Sequence, residues 1–465
     1  MDRTPQFEAA RRIVVALREA GYEAYFAGGC VRDLLLGREP EDYDVATSAP
    51  PDVVLQMFEK TFAVGAQFGV VLVASSAAAQ HSPGPPDQVV TEVATFRSDG
   101  LYSDGRHPDA VTYTLSATED VQRRDFTING LLLDPLHKGL SHSLADPGAI
   151  RAAVIDHVGG LADIEAGVIR AIGNPERRFD EDHLRLLRAA RFAARFGFAI
   201  EPATFAAIRA LAGRAQAVSR ERIRDELTKM LTEGRARRAF ELLDESGLLK
   251  EVLPEVARMK GVQQPPQFHP EGDVWVHTLL LLEQLEPGCS PTLAWGALLH
   301  DVGKPSTFRM AERIRFDGHV DVGVAIATDI CRRFRFSNDE TRQILALIEN
   351  HIRFADAPKM KTSTLKRFFR LENFDEHLAL HRMDCLAAHG NLDLWNFVRE
   401  RRETMPEEVV RPKPLLTGRE LIAAGYVPDA RFKEMLHMVE DAQLEGTIST
   451  EREAMALVKA RFPQK

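Results

Sequence analysis

The stretch at residues 26–47, FAGGCVRDLLLGREPEDYDVAT, constrains the fold of this chain more than any other segment. An apolar run ends in Gly28 and Gly29, a short helical pattern follows, and two carboxylates, Asp42 and Asp44, stand two residues apart. Because side chains alternate between the faces of a strand, we predict a strand on which both carboxylates point to the same side. Such a pair can bind Mg²⁺, which prefers oxygen ligands and completes its shell with water and phosphate oxygens.

The glycine pair predicts an anion site next to this cation site. Because Gly28 and Gly29 have no Cβ atom, their backbone N–H groups can approach an anion, and the helix that follows adds its N-terminal N–H groups. Arg32 can add a bidentate phosphate contact. A glycine pair or a D-x-D pair alone is usually structural. The prediction of a metal-bound triphosphate therefore depends on their order and close spacing.

These motifs resemble the active site of the nucleotidyltransferase superfamily of the DNA polymerase beta type. The sequence motif GGCVRDLLLG…DYDVAT resembles in particular that of the class II tRNA nucleotidyltransferases (CCA-adding enzymes) and their bacterial poly(A) polymerase relatives. The resemblance implies an α+β protein with a small head of mixed sheet and helices, followed by an all-α neck, body and tail. It implies that Asp42 and Asp44 are catalytic Mg²⁺ ligands and that Gly28, Gly29 and Arg32 bind the nucleotide.

The resemblance adds three residues and one loop in the head. Glu92, on a predicted strand at 89–96, completes the catalytic carboxylates. Arg124 and Asp125, in QRRDFTING, match a motif associated with the nucleotide sugar and phosphates. The loop at 97–108, RSDGLYSDGRHP, is similar to one that helps the final adenosine step in the family, so its presence favours the ability to add A.

The segment EDHLR predicts the start of a long helix whose side chains read a nucleobase. Asp182 and Arg185 are three residues apart, so on a helix they can hold each other and present an acceptor beside a donor fork. Cytosine and adenine both offer an amino group beside a ring nitrogen, whereas uracil and guanine present a carbonyl. The resembling family is described as using this motif to select C and A without a template. Arg188 and Arg191 turn progressively away from Asp182, and we expect them to contact phosphates.

A second set of residues follows the order H…HD…H…H…D in the C-terminal half. It resembles an HD-superfamily phosphohydrolase domain, and the implied metal ligands are His277, His300, Asp301, His319, His351 and Asp384. Imidazole and carboxylate ligands suit a transition metal such as Mn, Ni, Fe or Zn. Such a metal would activate water to attack a phosphoester, with Lys304 supporting the phosphate. A degenerate domain that only supports RNA is the competing interpretation.

Composition limits the class of protein and its compartment. The 465 residues carry a net charge of −9, which argues against a protein that coats nucleic acid non-specifically, although basic stripes at 185–195, 220–238 and 366–370 suit RNA. We predict no membrane partner, because the sequence has no run of 18 apolar residues and no signal-peptide pattern at its start. Four cysteines without a CxxC motif predict free thiols in the cytoplasm, and we predict no obligate protein partner.

The predicted function is the addition of the 3′-terminal CCA to tRNA from CTP and ATP. The predicted domains are a head at 1–150, a nucleobase-reading neck at 151–254, an HD-type domain at 255–405 and a tail at 406–465. Poly(A) polymerase is a first rival, but GAQFGVVLV at 65–73 resembles the CCA-adding wording. An A-only tRNA nucleotidyltransferase is a second rival, and an HD phosphohydrolase with a nucleotide-binding head is a third.

Overall fold

The computed structural model describes residues 3–63, 69–76, 88–100, 111–140, 146–267 and 269–464. The chain forms two compact units, one of residues 1–230 and 238–254, the other of residues 231–237 and 255–465. The first unit contains the predicted head together with the neck. The finer division into four domains remains a prediction.

A mixed seven-stranded sheet forms the centre of the first unit, as the resemblance implied. The strands of this unit are β1 (Ala24–Ala27), β2 (Val45–Thr47), β3 (Thr61–Phe62), β4 (Val70–Ser76), β5 (Gln88–Thr95), β6 (Arg97–Asp99), β7 (Val111–Tyr113), β8 (Leu131–Leu133), β9 (Val154–Asp156), β10 (Val168–Ile169) and β11 (Ala199–Ile200). The order in the main sheet is β3-β4-β5-β2-β1-β8-β9, in which β2 and β5 are parallel and the other neighbours are antiparallel.

Helices cover this sheet and continue into the neck. They are α1 (Pro5–Glu19), α2 (Gly29–Leu35), α3 (Pro51–Met57), α4 (Ala117–Gln122), α5 (Pro147–Ala153), α6 (Gly160–Ala166), α7 (Pro175–Glu181), α8 (Leu184–Phe196), α9 (Pro202–Leu211), α10 (Arg220–Thr232), α11 (Ala236–Glu245), α12 (Leu248–Val252) and α13 (Pro254–Ala257). Short 3₁₀ turns occupy Thr127–Asn129, Lys138–Leu140 and Ala212–Ala217.

The aromatic core of the head fixes the chain on both sides of the predicted metal ligands. Thr4 caps α1 by accepting a hydrogen bond from the Phe7 N–H group. The buried Phe7 ring meets the rings of Phe26 and Tyr43 edge-on, each with centroids 5.4 Å apart. Tyr43 is therefore anchored inside the head, and its two sequence neighbours are left at the surface of the core.

The second unit consists mainly of helices. They are α14 (Val274–Glu283), α15 (Pro291–Leu299), α16 (Lys304–Thr307), α17 (His319–Arg333), α18 (Asn338–Asn350), α19 (Thr362–Phe369), α20 (Phe374–Ala387), α21 (Asp393–Glu403), α22 (Glu407–Val410), α23 (Gly418–Ala423), α24 (Arg431–Glu445) and α25 (Glu451–Arg461), with a 3₁₀ segment at His351–Lys359 and a hairpin of β12 (Arg309–Met310) and β13 (Ile314–Arg315). No helix in the described ranges is long and apolar enough to cross a membrane.

Three local predictions differ from the structure. Asp42 and Asp44 precede β2 instead of lying on it, because pairing with β1 begins at Val45. The long helix begins at Leu184, because Asp182 ends α7 in an extended conformation. Of the predicted loop at 97–108, the first three residues form β6, paired with β7, while residues 101–110 lie outside the described ranges.

Candidate functional site

The carboxylates of the head meet at one edge of the sheet. β2 and β5 run parallel and in register, so Asp44 and Glu92, which precede paired residues, occupy neighbouring positions. Because Tyr43 is buried in the core, Asp42 and Asp44 flank it outside the core. Burial, and then the charges of Glu92 and Asp42, raises the pKa of Asp44 to about 7. The three carboxylates are therefore close enough to repel one another.

This acidic group is suited to a divalent cation. Burial and the charge of Asp42 also raise the pKa of Glu92, so added positive charge would relieve a repulsion that the protein alone does not neutralise. Among the described residues, sets of His, Cys or acidic ligand atoms all within 4.8 Å of one another occur only in the second unit. The head carboxylates are thus an open set, which suits Mg²⁺ completing its shell with phosphate and water.

The raised pKa of Asp44 has a consequence for stability that can be measured. Because the folded protein holds this proton more tightly than the unfolded chain, metal-free protein should lose stability as pH rises from about 4 to about 7. At pH 8 without divalent metal, Asp44→Asn should therefore raise the free energy of unfolding by about 1–3 kcal/mol. Glu41→Gln, at an exposed neighbouring carboxylate, is the control. A stability equal to wild type in Asp44→Asn would contradict the clustering.

Arg124 lies next to both the glycine turn and the carboxylates. Gly28 has a φ of 76°, and a Cβ atom there would lie 3.0 Å from Arg124 Nη1. The charge of Arg124 also opposes the rise in the pKa of Asp44 and of Glu92. Arg124, which we predicted to bind the nucleotide, therefore lies beside the Gly28 backbone and beside the carboxylates of Asp44 and Glu92.

Arg32 is enclosed by protein groups. Its Nε donates to Asp33 Oδ1 at 2.8 Å and its Nη1 to Asn129 Oδ1 at 2.7 Å. The guanidinium lies over the rings of Phe192 and Phe196 of α8, 5.2 and 4.7 Å from their centroids. This geometry favours a structural role between head and neck, and the phosphate contact predicted for Arg32 remains a prediction.

Asp125 is the centre of the junction between head and neck. Its Oδ1 accepts hydrogen bonds from the Phe126 N–H group and from Asn129 Nδ2, and its Oδ2 accepts from Arg188 Nε at 2.8 Å. Although burial opposes ionisation, Arg188 and the hydrogen bond from Asn129 hold the pKa of Asp125 well below its usual range. Asn129 also binds Arg32, so one buried network joins α2 to α8.

Asp182 and Arg185 are each held by other partners. Asp182 Oδ1 accepts from the Leu184 N–H group at 3.1 Å and Oδ2 accepts from Arg222 Nη2 at 2.9 Å. The backbone N–H of Arg185 bonds to the Asp182 carbonyl, so the two residues share one turn. The mutual side-chain support expected from their spacing is replaced by Arg222 of α10.

Arg185 ties the neck to the arginine motif of the head. Its Nη1 donates to Glu181 Oε2 and to the Arg178 carbonyl, both at 2.9 Å, and its Nη2 donates to the Arg123 carbonyl at 3.0 Å. Arg124, whose guanidinium lies beside Gly28, is the next residue after Arg123. Arg185 is therefore hydrogen-bonded to the backbone immediately before Arg124. Of its five N–H donors, these bonds use three within the described part of the chain, which leaves two for a base.

Arg191 lies in a different environment from the one we expected. Its side chain is 5% exposed and its Nε donates to Glu226 Oε2 at 2.6 Å. Such a buried pair favours a structural role for Arg191, in which α8 is joined to α10. A phosphate contact by Arg191 remains a prediction, whereas the Arg188 side chain is 32% exposed and nearer the junction.

In the second unit, four imidazoles present the same nitrogen to a common centre. A carbonyl or carboxylate oxygen can only accept, so each Nδ1 that faces one carries the hydrogen and leaves Nε2 as a ligand. The Nδ1 partners are Glu271 Oε1 for His277 (2.7 Å), the Ala297 carbonyl for His300 (2.9 Å), the Phe316 carbonyl for His319 (3.0 Å) and the Ile348 carbonyl for His351 (2.6 Å).

The Nε2 atoms meet the predicted carboxylates. His277 Nε2 lies 3.3 Å from His300 Nε2 and 3.1 Å from Asp384 Oδ1, and Asp301 Oδ2 lies 3.1 Å from His300 Nε2. On its other side, Asp301 Oδ1 lies 3.8 Å from the Nε2 atoms of both His319 and His351. All six predicted HD ligands therefore lie close together, and Asp301 links His300 on one side to His319 and His351 on the other.

Unpaired buried atoms support a cation at this centre. Asp301 Oδ1 and His319 Nε2 are both buried without a hydrogen-bond partner among the described residues. Buried polar atoms normally have a partner, and a bound cation together with its water would supply one to each of these acceptors. Gly303 permits the close approach, because a Cβ atom there would lie 2.1 Å from the His319 carbonyl oxygen. Lys304, predicted to support a phosphate, donates instead to Asp301 Oδ2 and to Gln264 Oε1, each at 2.7 Å.

Sequence reasoning missed several residues that hold these sites. They are Asp120, Asn129, Arg222, Glu226 and Glu271. Asn129 lies in QRRDFTING and Arg222 and Glu226 lie in the basic stripe 220–238, but no spacing within those segments indicated which distant side chains they would bind. Only the proximity of Glu271 to the predicted His277 in the sequence offered a signal.

The fold and these sites define a nucleotidyltransferase-type head with a helical neck, in a chain that also contains a histidine- and aspartate-rich metal centre. Residues 24–170 match the poly A polymerase head domain, residues 197–260 match the probable RNA and SrmB-binding site of polymerase A, and residues 274–388 match the HD domain. The chain therefore contains a poly A polymerase-type head, the RNA-binding segment that follows it and an HD domain, which confirms the resemblance read from its motifs.

Curated relatives and solved structures agree with this assignment. The chain is 38% identical to the CCA-adding enzyme of Lactobacillus johnsonii over 60% of its own length and 64% of the relative's, and 41% identical to that of Geobacillus stearothermophilus over 52% and 54%. It thus spans less than two thirds of these relatives in sequence. The structure of the Bacillus stearothermophilus CCA-adding enzyme in complex with CTP matches with a TM-score of 0.71 and 27% identity, over 98% of this chain and 99% of that one. The fold is also that of the Thermotoga maritima enzyme complexed with tRNA, with a TM-score of 0.58 and 18% identity.

Proposed function

We propose that this protein is a tRNA nucleotidyltransferase that adds the 3′-terminal CCA from CTP and ATP without a nucleic-acid template. One observation carries the proposal. The acidic group of Asp42, Asp44 and Glu92 adjoins Arg124. Arg185 Nη2 donates to the carbonyl of Arg123, the residue before Arg124. Relatives named as CCA-adding enzymes, at about 40% identity, support the same activity.

In the proposed reaction, the 3′-hydroxyl of tRNA attacks the α-phosphate of CTP or ATP and pyrophosphate leaves. Divalent ions on Asp42 and Asp44, Mg²⁺ by our inference, would lower the pKa of the hydroxyl and stabilise the developing charge. The Gly28 N–H group donates to the Leu131 carbonyl at 3.2 Å, so Gly28 shapes the turn while the Gly29 N–H group is offered to the triphosphate. Arg124 adds its charge to the phosphates or sugar. Glu92 completes the acidic group.

Base selection rests on Asp182 and Arg185 in this proposal. The carboxylate accepts the amino hydrogen that C and A share, and the guanidinium donates to their ring nitrogen. Arg222 and Glu181 hold the two side chains before the nucleotide arrives, so little ordering is needed on binding. Because U and G present a carbonyl where C and A present an amino group, Asp182 would repel them.

The test is a tRNA that lacks its 3′ CCA, incubated with each nucleotide and with all four, followed by sequencing of the 3′ end. We expect two C residues and then one A, with no extension by UTP or GTP. Long A tails without C would favour a poly(A) polymerase, and A addition only to tRNA ending in CC would favour an A-only enzyme.

The cytoplasm is the inferred compartment, because four free cysteines and a tRNA substrate suit it.

Arg185→Ala should lower the preference for CTP over UTP by about tenfold or more, because one good bidentate base contact is worth about 1–3 kcal/mol of discrimination. The total rate of nucleotide addition should fall less than this preference. Competition between CTP and UTP on the same tRNA gives the ratio directly. Arg177→Ala, at an exposed arginine of α7, is the control. A wild-type preference in Arg185→Ala would refute base reading by this residue.

We also propose that the HD region is a metal-dependent phosphohydrolase with a bound transition metal, Mn, Ni, Fe or Zn. The observation that favours it is that four imidazole Nε2 atoms and two carboxylates lie close together. Two of these atoms, Asp301 Oδ1 and His319 Nε2, are buried without a hydrogen-bond partner among the described residues. A transition metal at this centre would activate water for attack on a phosphoester. A domain that only supports RNA would need no such set of ligands.

Asp301→Asn should abolish metal-dependent hydrolysis of bis(4-nitrophenyl) phosphate measured with added Mn²⁺ or Ni²⁺. The reason is that Asp301 faces all four imidazoles and its charge is replaced by a neutral amide. Asp329→Asn, at an exposed aspartate of α17, should retain wild-type hydrolysis. Wild-type protein that neither binds these metals nor hydrolyses the ester would favour a domain that only supports RNA.

A further inference from the structure

We propose that Glu271 is a positioning residue of the HD centre, which holds the His277 ring with its Nε2 atom toward the metal. The inference rests on the proposed metal-dependent function of the HD region. It concerns a residue outside the H…HD…H…H…D pattern, six positions before His277 in the chain.

His277 differs from the other three imidazoles in how its orientation is fixed. The Nδ1 atoms of His300, His319 and His351 face backbone carbonyls, which the local chain positions whatever the surrounding side chains are. Only His277 has a side chain, Glu271, as its Nδ1 partner. The orientation of this one ligand can therefore be changed by substitution of its partner.

The contact between Glu271 and His277 is short and buried, which suits it to hold the His277 ring in one orientation. Glu271 is 5% exposed and His277 is fully buried, and they are 2.7 Å apart between Oε1 and Nδ1. The same Oε1 accepts from His269 Nδ1 at 2.9 Å, and the His269 ring packs edge-on against the His277 ring with centroids 5.0 Å apart. Carboxylate, outer imidazole and ligand imidazole thus form one packed unit at the start of α14.

Charge adds to orientation. Glu271 Oε1 faces two imidazole Nδ1 atoms, those of His277 and His269, and the acceptor that both require is a carboxylate oxygen. An anion on Nδ1–H raises the basicity of Nε2, and carboxylate partners of this kind change metal affinity by about 10- to 100-fold.

Two substitutions separate orientation from charge. Glu271→Gln keeps an oxygen that can accept from His277 Nδ1 but removes the charge, whereas Glu271→Ala removes both. We expect Ni²⁺ affinity to fall in the order wild type, Gln, Ala, with a loss of about 10- to 100-fold in Ala. A buried carboxylate that served only folding would change thermal stability and leave this order of metal affinities absent.

The experiment is a titration of the full chain with Ni²⁺ in competition with a chromogenic chelator, which gives both affinity and the number of ions bound without any enzyme assay. Glu283→Gln, an exposed glutamate of the same helix, is the matched control, and Asp42→Asn reports any uptake by the head. Wild-type Ni²⁺ affinity in folded Glu271→Ala would overturn the proposal. So would the loss of one bound ion with the affinity of the others unchanged, because His269, Glu271 and His277 would then be a separate metal site. Wild-type protein that binds no Ni²⁺ would instead refute the proposed metal-dependent function.

Discussion

Asp44→Asn should reduce the rate of CMP and AMP incorporation into tRNA by about a thousandfold or more. Loss of one charged ligand removes several kcal/mol of transition-state stabilisation, and about 4 kcal/mol corresponds to a factor of a thousand. The rate is measured in a single turnover with excess enzyme, so that product release does not mask the chemical step. The stability of Asp44→Asn should rise at the same time in metal-free protein, because burial, and then the charges of Glu92 and Asp42, raise the pKa of Asp44 and disfavour its charged form.

The two effects together distinguish a functional carboxylate from a structural one. A structural carboxylate would lose stability and activity together when replaced. Glu41→Gln, at an exposed carboxylate nearby, should retain both. A variant of Asp44 with a wild-type rate would remove the head from the reaction and favour the view that the HD region carries the activity.

Asp125→Ala should lower the free energy of unfolding of the first unit by about 2–4 kcal/mol, because it removes the buried acceptor of the half-buried Arg188, of Asn129 and of the Phe126 N–H group. The low pKa of Asp125 means that its contribution is present above the pKa of the unfolded chain and is lost as pH falls below it. Asp125→Leu combined with Arg188→Met should recover much of the loss, because apolar replacements of both partners leave no buried charge.

Hydrogen exchange of the α8 amides in increasing urea is the appropriate measurement for this network. The three tryptophans, Trp275, Trp295 and Trp395, all belong to the second unit, so fluorescence does not report the junction in the first. Equal exchange midpoints in wild type and Asp125→Ala would show that the Asp125–Arg188 pair does not stabilise the first unit. A double variant as unstable as the single one would show that Asn129 and the Phe126 N–H group, which also lose their acceptor, dominate the cost.

The order of the motifs made the outline of this protein predictable. The glycine pair, the D-x-D pair and the strand that carries Glu92 follow one another as in the resembling family, so the head and its acidic edge could be expected from that resemblance. The start of the neck helix could not, because the Asp182 backbone is extended and its side chain accepts a hydrogen bond from the Leu184 N–H group. Helical spacing alone therefore misjudged its pairing with Arg185.

The buried networks were beyond reach of sequence patterns for a different reason. Asn129 joins Arg32, which is 97 residues away, and Arg191 meets Glu226, which is 35 residues away. Arg191 lies six residues after Arg185, or about two thirds of a turn around the helix, which directs it to another neighbour. Which neighbour occupies that side depends on the packing of α10, and no local spacing encodes it.

The central claim is that the acidic edge of the head and the Asp182–Arg185 turn act on one nucleotide. A crystal structure with Mg²⁺ and a non-hydrolysable CTP analogue measures this directly. The account predicts metal bound to Asp42 and Asp44, the triphosphate at Gly28, and the cytosine amino group and ring nitrogen within hydrogen-bond distance of Asp182 and Arg185. A bound analogue whose cytosine lies away from both side chains would contradict it.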